Sequence, residues 1–589
     1  MKVSEMFTMI TCFCMTLIHY VSGTIPPAAL FVGMGYNLLR GNPDGDSHIN
    51  AGKDPGLLMT RQILKLDPPD SPRELSYHEY SLCFPTQYKE VFYNTKSYQT
   101  RLLHDLIGIG NTTENITNHA FSLSEGFRFI SSDTHQGSFF YIDEVRLCNK
   151  GRSRFMTSLA HSRKFDIGDE FAATVCSLPR TYDQQTYMNF LEDWGTHVVM
   201  EVEIGWENRT RKRIAVKDIV EALIKTNPDL LVPTGSSRKH KSSIALSKTF
   251  LDNSTSLESF ASKMITISSM SKGSEQVSEP IKYKVISIDK LLDIDYWQLP
   301  KDIVHKQLCT SGFDSLLPEK QQNIQKALSL YAEFLNAPPA KDSSPEYPVF
   351  WPSPPFALPE PVGGCPKDSG SWRVGNLTHQ LSTRIDSFPN NTFHYQNEIH
   401  LKGLHNATIL NMFYCGLTSS GDSSNPWPRG SYCIAQVSNN CPSGFSSVTI
   451  TYSLYPREQY LSTTYDQSLE FSGNIPKLEA TSGQSYKMYY CCRSDGNVDK
   501  PIILPHQESF YLYPEHRTKK CQKVLGMRST DEWIKYPYAE NSRYNSCTCA
   551  RSYYYNTCQP YDEDCNQYHK VHYCFYTRDT SISSVSVFG

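Results

Sequence analysis

The chain has 589 residues and a formal net charge of −3, so it is long enough for two or three domains with separate cores. This near-neutral balance gives no global sign of binding to nucleic acid or another polyanion. After the N-terminal segment, no stretch reaches the roughly 18 apolar residues of a transmembrane helix, so entry into a membrane would need another route.

The N-terminus carries Lys2, an apolar run "MFTMITCFCMTLIHY", and then the small residues Ser22 and Gly23. This order predicts a cleaved signal peptide over residues 1–23 and hence a secreted protein. A signal anchor is the alternative, but the apolar run is short for one.

Cysteine usage agrees with export. Once Cys12 and Cys14 leave with the signal peptide, four cysteines precede residue 310 and twelve follow residue 364. Even counts in a secreted protein predict a disulfide framework, whose connectivity stays open. The disulfide candidates are Cys83, Cys148, Cys176, Cys309, Cys365, Cys415, Cys433, Cys441, Cys491, Cys492, Cys521, Cys547, Cys549, Cys558, Cys565 and Cys574. The glycosylation candidates are Asn111, Asn115, Asn208, Asn253, Asn376, Asn390 and Asn406.

The N-terminal half mixes helical and strand periods. "AFSLSEGFRFI" (Ala120–Ile130) alternates and predicts a half-buried strand, as does "THVVMEVEIG" (Thr196–Gly205). Helices are predicted within Lys164–Pro179, Thr181–Trp194, Val216–Asn227 and Glu319–Leu335. Because helices and strands interleave, this half belongs to the α+β or the α/β class.

A proline-rich stretch from Asn336 to Gly364 favours extended conformation, and cysteine density changes across it. We therefore predict an N-terminal domain over 24–337, a linker over 338–361 and a C-terminal domain over 362–589.

The C-terminal half has short apolar runs such as "YKMYYCC" and "FYLYP", which predict an all-β, disulfide-rich domain. Cys565, His569, His572 and Cys574 could be drawn as a zinc site, but an oxidising compartment favours disulfides, and we predict no metal and no cofactor. The neighbours Cys491 and Cys492 cannot easily pair with each other and should bridge to different strands.

His197, at the junction between a helix and a strand, is the residue to weigh for catalysis. The chain lacks G-x-S-x-G and H-E-x-x-H, and His197 has no histidine at helical spacing. A histidine in this position is more often a hydrogen-bonded structural group. We therefore predict no catalytic residue and no enzyme; a secreted hydrolase is an alternative that no motif supports.

Tyr187, six further residues and then Trp194-Gly195-Thr196-His197 resemble the signature of the membrane-attack-complex/perforin (MACPF) superfamily. Trp194 stands where Phe or Tyr is usual, and Val198 where an aromatic residue is usual. The resemblance extends over 24–337 through three segments: Gly33–Gly45, Leu178–Val199 and Tyr283–Ile294. The Gly-Gly pair that many members carry at the sheet bend is not evident, and Gly205 and Gly235 are the nearest candidates.

This resemblance implies an α+β fold, a bent antiparallel sheet flanked by helical clusters, in a secreted pore former. Monomers would bind a target membrane, assemble into a homo-oligomeric ring and each insert two β-hairpins into one barrel. A barrel satisfies every backbone polar group within lipid, with about 9–11 residues per spanning strand. By position, the hairpins are expected at about 119–168 and 236–283.

The candidate membrane-inserting side chains are Phe121, Leu123, Phe127, Phe129, Ile244, Leu246, Phe250, Leu257, Phe260, Ile265 and Ile267. The alternation in the first segment would also suit a strand of the central sheet. Lys248, Asp252 and Lys263 interrupt the second, and a glycan on Asn253 would have to cross with the hairpin tip. The basic runs Arg209–Arg213 and Arg238–Lys241 fit either anionic lipid or a solvated surface.

The C-terminal half resembles the ApeC domain of apextrins in "CPKDSGSW", "WPRGSYCIAQVSNNCPSGF", "YYCCRSDG", "ILPHQESFYLYP" and "CQKVLGMRSTDEW". It departs from that pattern after "CPSGF" and after Trp533. The resemblance implies recognition of microbial cell-wall sugars or other surface glycans, for which exposed Tyr and Trp would supply stacking faces. Exposed aromatic rings would equally suit lipid headgroups.

A MACPF half followed by an ApeC half is similar to the architecture of apextrins. The leading hypothesis is a secreted pore-forming effector that docks on a target surface through the C-terminal domain and reaches the target-cell membrane after assembly. Its partners would be the target membrane, copies of itself and microbial glycans, with no nucleic acid. The alternative is a non-lytic extracellular protein of adhesion, development or pattern recognition.

Overall fold

The structure is a computed structural model. It describes residues 27–45, 53–58, 60–66, 74–110, 114–136, 139–156, 165–237, 240–251, 254–293, 297–298, 309, 313–343, 345–367, 372–380, 392–403, 406–418, 425–453, 469–472, 476–481, 485–536, 560–562 and 569–580. The predicted signal peptide lies outside them. The described residues fall into two compact units, the first within Met1–Ala215 and Leu257–Pro345, the second within Val216–Ser256 and Glu346–Gly589.

The helices, in chain order, are α1 (Pro55–Leu58), α2 (Thr95–His104), α3 (Glu114–Asn118), α4 (Glu125–Gln136), α5 (Asp169–Ser177), α6 (Gln184–Trp194), α7 (Val216–Thr226), α8 (Lys248–Leu251) and α9 (Leu317–Phe334). Short 3-10 helices cover Pro27–Phe31, Pro228–Leu230, Ser254–Lys263, Ile288–Leu292 and Phe313–Leu316. The structure thus confirms the four helices that the sequence predicts, as α5, α6, α7 and α9.

The strands are β1 (Gly35–Tyr36), β2 (Leu75–Glu79), β3 (Thr86–Phe92), β4 (Leu106–Gly110), β5 (Phe139–Phe155), β6 (Phe165–Asp166), β7 (His197–Ala215), β8 (Leu231–Ser237), β9 (His240–Leu246), β10 (Ile265–Lys272), β11 (Glu279–Ser287), β12 (Trp297–Gln298), β13 (Glu346–Pro348), β14 (Phe356–Pro359), β15 (Arg373–Gln380), β16 (His394–Tyr395), β17 (Ile409–Leu417), β18 (Ser431–Ala435), β19 (Ser446–Ser453), β20 (Leu469–Ser472), β21 (Leu478–Thr481), β22 (Ser485–Ser494), β23 (Phe510–Pro514), β24 (Met527–Lys535) and β25 (Lys570–Arg578).

The first unit is built around two long antiparallel strands, β5 and β7. β2 and β3 follow one another along the outer edge of β5, and β11 and β10 do the same along β7. β4 pairs in parallel with the outer edge of β11. Helices α5, α6 and α9 contribute apolar faces to one core with Val198, Val202 and Ile204 of β7. Each such fully buried side chain contributes about 1.5–3 kcal/mol to the stability of the fold.

The predicted strand at Ala120–Ile130 is wrong. The segment forms a turn and then enters α4, where the backbone N–H of Phe127 donates to Ser124 Oγ at 3.3 Å. Phe127 is 1% exposed and Ile130 is fully buried, whereas Phe129 is 47% exposed. Burial three residues apart is helical periodicity, and the apolar alternation is broken at Glu125-Gly126.

The second unit is rich in strands, with one large sheet that runs through β23, β18, β14 and β17, and a smaller sheet of β13, β9 and β8. Two apolar cores rich in Tyr and Trp lie against the large sheet. An α+β unit followed by a strand-rich unit with several disulfides confirms the predicted fold class. The segment Val216–Ser256 falls within the predicted N-terminal domain by its position in the chain, but it belongs to this second compact unit.

Disulfides brace both units. Those of the first unit are Cys83–Cys148 and Cys176–Cys309, and those of the second are Cys365–Cys415, Cys433–Cys492, Cys441–Cys491 and Cys521–Cys574. The neighbours Cys491 and Cys492 bond to different cysteines, Cys492 to Cys433 of β18 and Cys491 to Cys441 in the loop after that strand, whereas the sequence predicts bridges to two different strands. Cys547, Cys549, Cys558 and Cys565 lie outside the described residues.

Candidate functional site

The turn between α6 and β7 carries the signature residues. Asp183 caps the start of α6, since its Oδ1 accepts from the backbone N–H of Thr186 at 2.9 Å. The helix ends at Trp194, and Gly195 follows with φ +86°. A Cβ at Gly195 would lie 2.8 Å from the backbone nitrogen and oxygen of Tyr36. Only glycine can take this conformation and let β1 approach so closely.

Thr196 and His197 join three segments at this turn. Thr196 Oγ1 accepts from the backbone N–H of Leu38 at 3.0 Å and lies 3.2 Å from the carbonyl oxygen of Tyr36. His197 Nδ1 lies 2.8 Å from Thr196 Oγ1. Thr196 has one hydroxyl proton. If it donates this proton to the carbonyl oxygen of Tyr36, then His197 donates from Nδ1 to Thr196 Oγ1. The backbone N–H of Ile288 donates to the carbonyl of Thr196 at 3.0 Å.

Burial lowers the pKa of His197 to about 3, so the imidazole is neutral at physiological pH. The side chain is completely buried. These contacts favour a structural role over a catalytic one, because a dissolved substrate cannot reach the ring while the turn is folded.

Tyr187 and Trp194 attach α6 to its neighbours. The Tyr187 hydroxyl donates to the carbonyl of Pro179 at 2.7 Å and accepts from Asn323 Nδ2, on α9, at 3.1 Å. The Trp194 ring meets Phe171 of α5 edge to face, with centroids 5.2 Å apart. The signature thus fixes the position of α6 and the start of β7.

Gly205 lies within β7 where its neighbour β5 has a bulge. The register of β5 against β7 shifts between Asn149 and Gly151. A Cβ on Gly205 would lie 1.9 Å from the carbonyl oxygen of Cys148, so the irregularity requires glycine here. Gly235, the other candidate for the bend, lies on β8 in the second unit and not in this sheet.

Two inserts leave the sheet of the first unit. The first insert, residues 93–138, connects β3 to β5, and the second insert, residues 216–264, connects β7 to β10. The expected hairpin segments, 119–168 and 236–283, overlap the inserts only in part, because they include all of β5 and β10. The first and last residues of each insert are set by where the neighbouring strands end and begin. The irregular alternation of apolar and polar residues in the sequence did not reveal those strand ends.

Both inserts leave from the same end of the sheet. Phe92, the last residue of β3, pairs with Tyr141 of β5, and Phe139 of β5 pairs with Ala215, the last residue of β7. Ile265, the first residue of β10, pairs with Arg213 of β7. Strands β3, β5, β7 and β10 are therefore antiparallel neighbours in this order, and both inserts begin and finish at the same end of these strands.

Most of the candidate membrane-inserting side chains are buried in this form. Phe121 and Phe127 are buried in the first unit, Leu123 is half-buried and Phe129 is exposed. In the second insert, Ile244, Leu246 and Phe250 are buried in the second unit, and Leu257 and Phe260 in the first. Ile265 is 65% exposed and Ile267 is half-buried on β10.

A buried cluster of charges attaches the first insert to the sheet, and sequence reasoning missed it. Arg101 of α2 contacts Glu90 Oε2 at 3.1 Å and also bonds to Asp44. Arg211 of β7 contacts Asp143 of β5 at 2.7 Å and Asp44 at 2.6 Å. Arginines at every second position of a long strand could have indicated a polar buried face.

Arg209 extends the cluster to Glu207 at 2.9 Å and to Glu90 at 2.7 Å. Arg209 is 2% exposed and Arg211 5%, so neither interpretation of the run Arg209–Arg213, lipid contact or solvated surface, holds for these two residues. Their carboxylate partners compensate the cost of burying the charges. Arg238 and the side chains of His240 and Lys241 lie outside the described part of the chain.

Burial and the neighbouring arginines act on the carboxyl pKa values in opposite directions, and the balance differs from one carboxyl group to the next. Burial alone would raise the pKa of Asp44, but Arg101, Arg209 and Arg211 outweigh it and hold that pKa well below its usual range. The pKa of Asp143 is lowered for the same reason. Burial raises the pKa of Asp105 to about 6, against the opposing effect of Arg101 and Arg209. The cluster is thus held by strong ion pairs, and one of its carboxyl groups, that of Asp105, has a raised pKa.

Matches to two family models cover most of the chain. One model, described as the MAC/Perforin domain, matches residues 25–341. The chain belongs to this MACPF family. A second model, described as the C-terminal domain of apextrin (ApeC), matches residues 351–576, so the chain has the apextrin-like order of domains. Among the described helices of this MACPF protein, none is long and apolar enough to cross a bilayer.

Two solved structures show distant likeness. GNIP1Aa from Chromobacterium piscinae is 10% identical, with a TM-score of 0.34 over 76% of this chain and 82% of that one. Astrotactin-2, described as a vertebrate-specific, perforin-like membrane protein involved in neuronal development, is 10% identical, with a TM-score of 0.21 over 82% of this chain and 69% of that one. These scores are low, and the assignment rests on the family models alone.

The other predicted sites are distributed as follows. Asn115, Asn208 and Asn406 are exposed and Asn376 is half-buried, whereas Asn111, Asn253 and Asn390 lie outside the described residues. Cys574, one of the ligands drawn for zinc, bonds to Cys521. Among the described residues, a group with metal-ligand spacing forms at Glu360, Cys365 and Cys415, but its cysteines are joined in a disulfide.

The expected stacking faces in the ApeC domain are not found among its described residues. The large apolar side chains that are exposed there are Val362 and Val374. Trp533 is half-buried, and the Nζ atom of Lys570 lies over its indole ring, 4.7 Å from the ring centroid. The tyrosines of 454–468 and 537–559 lie outside the described residues.

Proposed function

We propose that this MACPF protein is a secreted pore former whose two inserts refold into membrane-spanning β-hairpins. One observation carries the proposal: both inserts leave the same end of the antiparallel strands β3, β5, β7 and β10. If each insert refolds as a hairpin, it prolongs two of these strands, and the four form one longer antiparallel sheet. Each insert holds roughly 45 residues, which exceeds the two strands of about 9–11 residues that a hairpin needs to cross lipid.

The buried charges support the same refolding. Release of α2 from the sheet would expose Asp143, Arg209 and Arg211 on one face of β5 and β7. A polar face of this kind suits the water-filled lumen of a barrel.

The position of β4 supports oligomerisation. This strand belongs to the first insert, yet it pairs with the outer edge of β11. Refolding of the insert would remove β4 and leave that edge without a hydrogen-bonding partner. An unpaired edge is a template for a strand of another chain, so release of the insert and ring assembly would be coupled.

Docking is assigned to the ApeC domain. The described residues show no aromatic platform, so the proposal of target-surface glycans or lipid rests on the family resemblance. Sedimentation with insoluble microbial cell walls and with protein-free vesicles tests it. Retention on neither would remove docking from the proposal.

Two neighbouring residues of α4 offer a sharp test of insertion. Arg128 and Phe129 are both exposed in the folded monomer, so single cysteines there should carry an environment-sensitive fluorophore without unfolding the chain. In a spanning strand, adjacent residues point to opposite faces. We therefore expect one label to be quenched from within the lipid and the other by aqueous iodide, on vesicles that also release trapped dye.

The matched control is a label at Thr530, an exposed residue of β24 outside both inserts, which should stay in water. If both α4 labels stay in water on bound vesicles, insertion is excluded. The non-lytic extracellular role would then be the better account.

A further inference from the structure

The β8–β9 hairpin of the second insert is bonded to residues that follow the MACPF fold in the chain. β13 pairs antiparallel with β9, with Glu346 opposite Ala245 and Pro348 opposite Ser243. The hydroxyl of Ser243 donates to Glu346 Oε2 at 2.7 Å. Beyond β13, the backbone N–H of Val349 donates to the carbonyl of Ser242 at 2.9 Å. One edge of β9 is thus occupied by a C-terminal segment.

A second C-terminal segment closes on the same hairpin. The backbone N–H of His506 donates to Ser242 Oγ at 3.1 Å, and its Nε2 donates to the carbonyl of Thr234 at 3.0 Å. Gln507 Nε2 donates to that carbonyl at 3.3 Å. His506 and Ser242 are 2% and 1% exposed. A Cβ on Gly235 would lie 2.5 Å from the amide nitrogen at the end of the Gln507 side chain, so a larger residue here would displace that amide group.

We propose that residues 346–349 together with 506–507 form an autoinhibitory clamp, which keeps the second insert folded in the monomer and must open before that insert can refold. The inference rests on the proposed function and adds its regulation. It assigns to the C-terminal half a role beyond docking: the same unit that meets the target restrains one of the two inserting segments.

The reason is an exclusion of partners. β9 has two hydrogen-bonding edges, and β8 and β13 occupy them in the monomer. In a barrel, a spanning strand needs both edges for strands of the barrel itself, because lipid offers no other partner to the backbone. β13 must therefore leave. The hydrogen bonds to buried Ser242 and from His506 stabilise the closed arrangement, so the clamp adds to the barrier for insertion.

Weakening the clamp should speed its opening. The double variant Ser242→Ala/His506→Ala removes the acceptor hydroxyl on β9 and the imidazole that bonds to Thr234. We expect amide hydrogens of 231–246 to exchange about tenfold faster in the soluble monomer, and dye release from vesicles to begin sooner. Unchanged exchange in this double variant would overturn the clamp.

The control for loosening uses the same two substitutions elsewhere in the second unit. Ser447→Ala/His394→Ala removes a hydroxyl that bonds to Gln436 and an exposed imidazole. Its exchange over 231–246 should equal that of the wild type. Faster exchange in this control would mean general loosening of the unit and would overturn the assignment to the clamp.

A lock tests the same idea in the opposite direction. Ala245 and Glu346 lie directly opposite each other, so Ala245→Cys/Glu346→Cys can form a disulfide across β9 and β13. We expect the oxidised protein to bind vesicles with less than about a tenth of the wild-type dye release. The single variant Glu346→Cys loses the same carboxylate without the cross-link and should release dye. A locked protein that lyses vesicles at the wild-type rate would overturn the clamp.

The two proposals fail in different ways. If the wild-type chain releases no dye from any vesicle, the pore-forming function fails, while exchange in the monomer still shows whether 346–349 and 506–507 hold the hairpin. If the wild type releases dye and the locked variant does so equally fast, the clamp fails and pore formation stands.

Discussion

At the scale of single residues, each residue of the signature turn is fixed by close packing or by a hydrogen bond. Gly195 allows β1 to approach, Thr196 bonds to two backbone groups of the 36–38 segment, and His197 bonds to Thr196. The sequence alone indicated a structural histidine, because no catalytic partner accompanied it. It could not reveal that the contacts are made with residues near position 36, since a pairing between distant segments leaves no local pattern.

We expect His197 to make the first unit sensitive to acid. Its pKa is about 3 in the folded protein and near 6.5 in the unfolded chain. The unfolded chain therefore binds the proton first, so this contribution to stability is complete above pH 6.5 and is lost as pH falls from 6.5 towards 3. By pH 5 the loss amounts to about 2 kcal/mol.

Replacement by His197→Gln should remove this slope. Denaturant unfolding at several pH values between 7.5 and 5 would measure the slope of the unfolding free energy with pH. Hydrogen exchange in β7 would provide a second measurement. His104→Gln, at an exposed position of the same unit, serves as the control and should keep the wild-type slope. Equal slopes in wild type and His197→Gln would contradict the assignment.

Gly195 offers a test of close approach as distinct from backbone strain. Gly195 has φ +86° and the backbone of Tyr36 against it, whereas Gly364 has φ +89° and, among the described residues, nothing within 4 Å of the point where a Cβ would lie. We expect Gly364→Ala to cost about 1–2 kcal/mol from backbone strain alone, and Gly195→Ala to cost more than about 3 kcal/mol. Thermal unfolding of both variants compares them, and equal losses would show that the contact with Tyr36 yields easily.

At the scale of secondary structure, helices with a sustained apolar face could be predicted, and short or interrupted patterns could not. Val216–Thr226 and Leu317–Phe334 each bury one face, and both appear where the sequence predicts them. The alternating phenylalanines of Ala120–Ile130 predict a strand, but the serine cap at Ser124 and the core beside Phe127 select a helix. The charge cluster was missed for a related reason: its members come from five separate segments.

Removing one charge from that cluster should destabilise α2. Arg101→Met leaves Asp44 and Glu90 without one of their partners, and the loss of a buried partner costs about 3–5 kcal/mol. Chemical unfolding gives the free energy, and exchange over Thr95–His104 locates the change. Arg180→Met breaks an exposed pair with Glu319 and should leave stability unchanged within error. Similar behaviour of the two variants would mean that the cluster is not held by its charges.

At the scale of the whole molecule, the boundary between the family domains and the boundary between the compact units differ. The MACPF match runs without interruption over 25–341, whereas Val216–Ser256 groups with the C-terminal half. Composition marks the proline-rich segment clearly and predicts a boundary there. It could not show that β9 pairs with β13 across roughly 100 residues of chain, because strand pairing depends on edges that the fold creates.

This difference predicts which segments unfold together. In native-state hydrogen exchange with increasing denaturant, residues of one cooperative unit lose protection at the same free energy. We expect Val216–Thr226 and Leu231–Leu246 to lose protection with β14, β17 and β18, and not with β5 and β7, although β7 ends at the residue before α7. The bonds from Val349 and His506 to Ser242 supply the coupling.

Peptides from β10 are the control, because β10 pairs with β7 and should follow the first unit. If Leu231–Leu246 instead exchanges together with β7 and β10, the second insert belongs energetically to the MACPF fold, and the C-terminal half exerts no restraint on it.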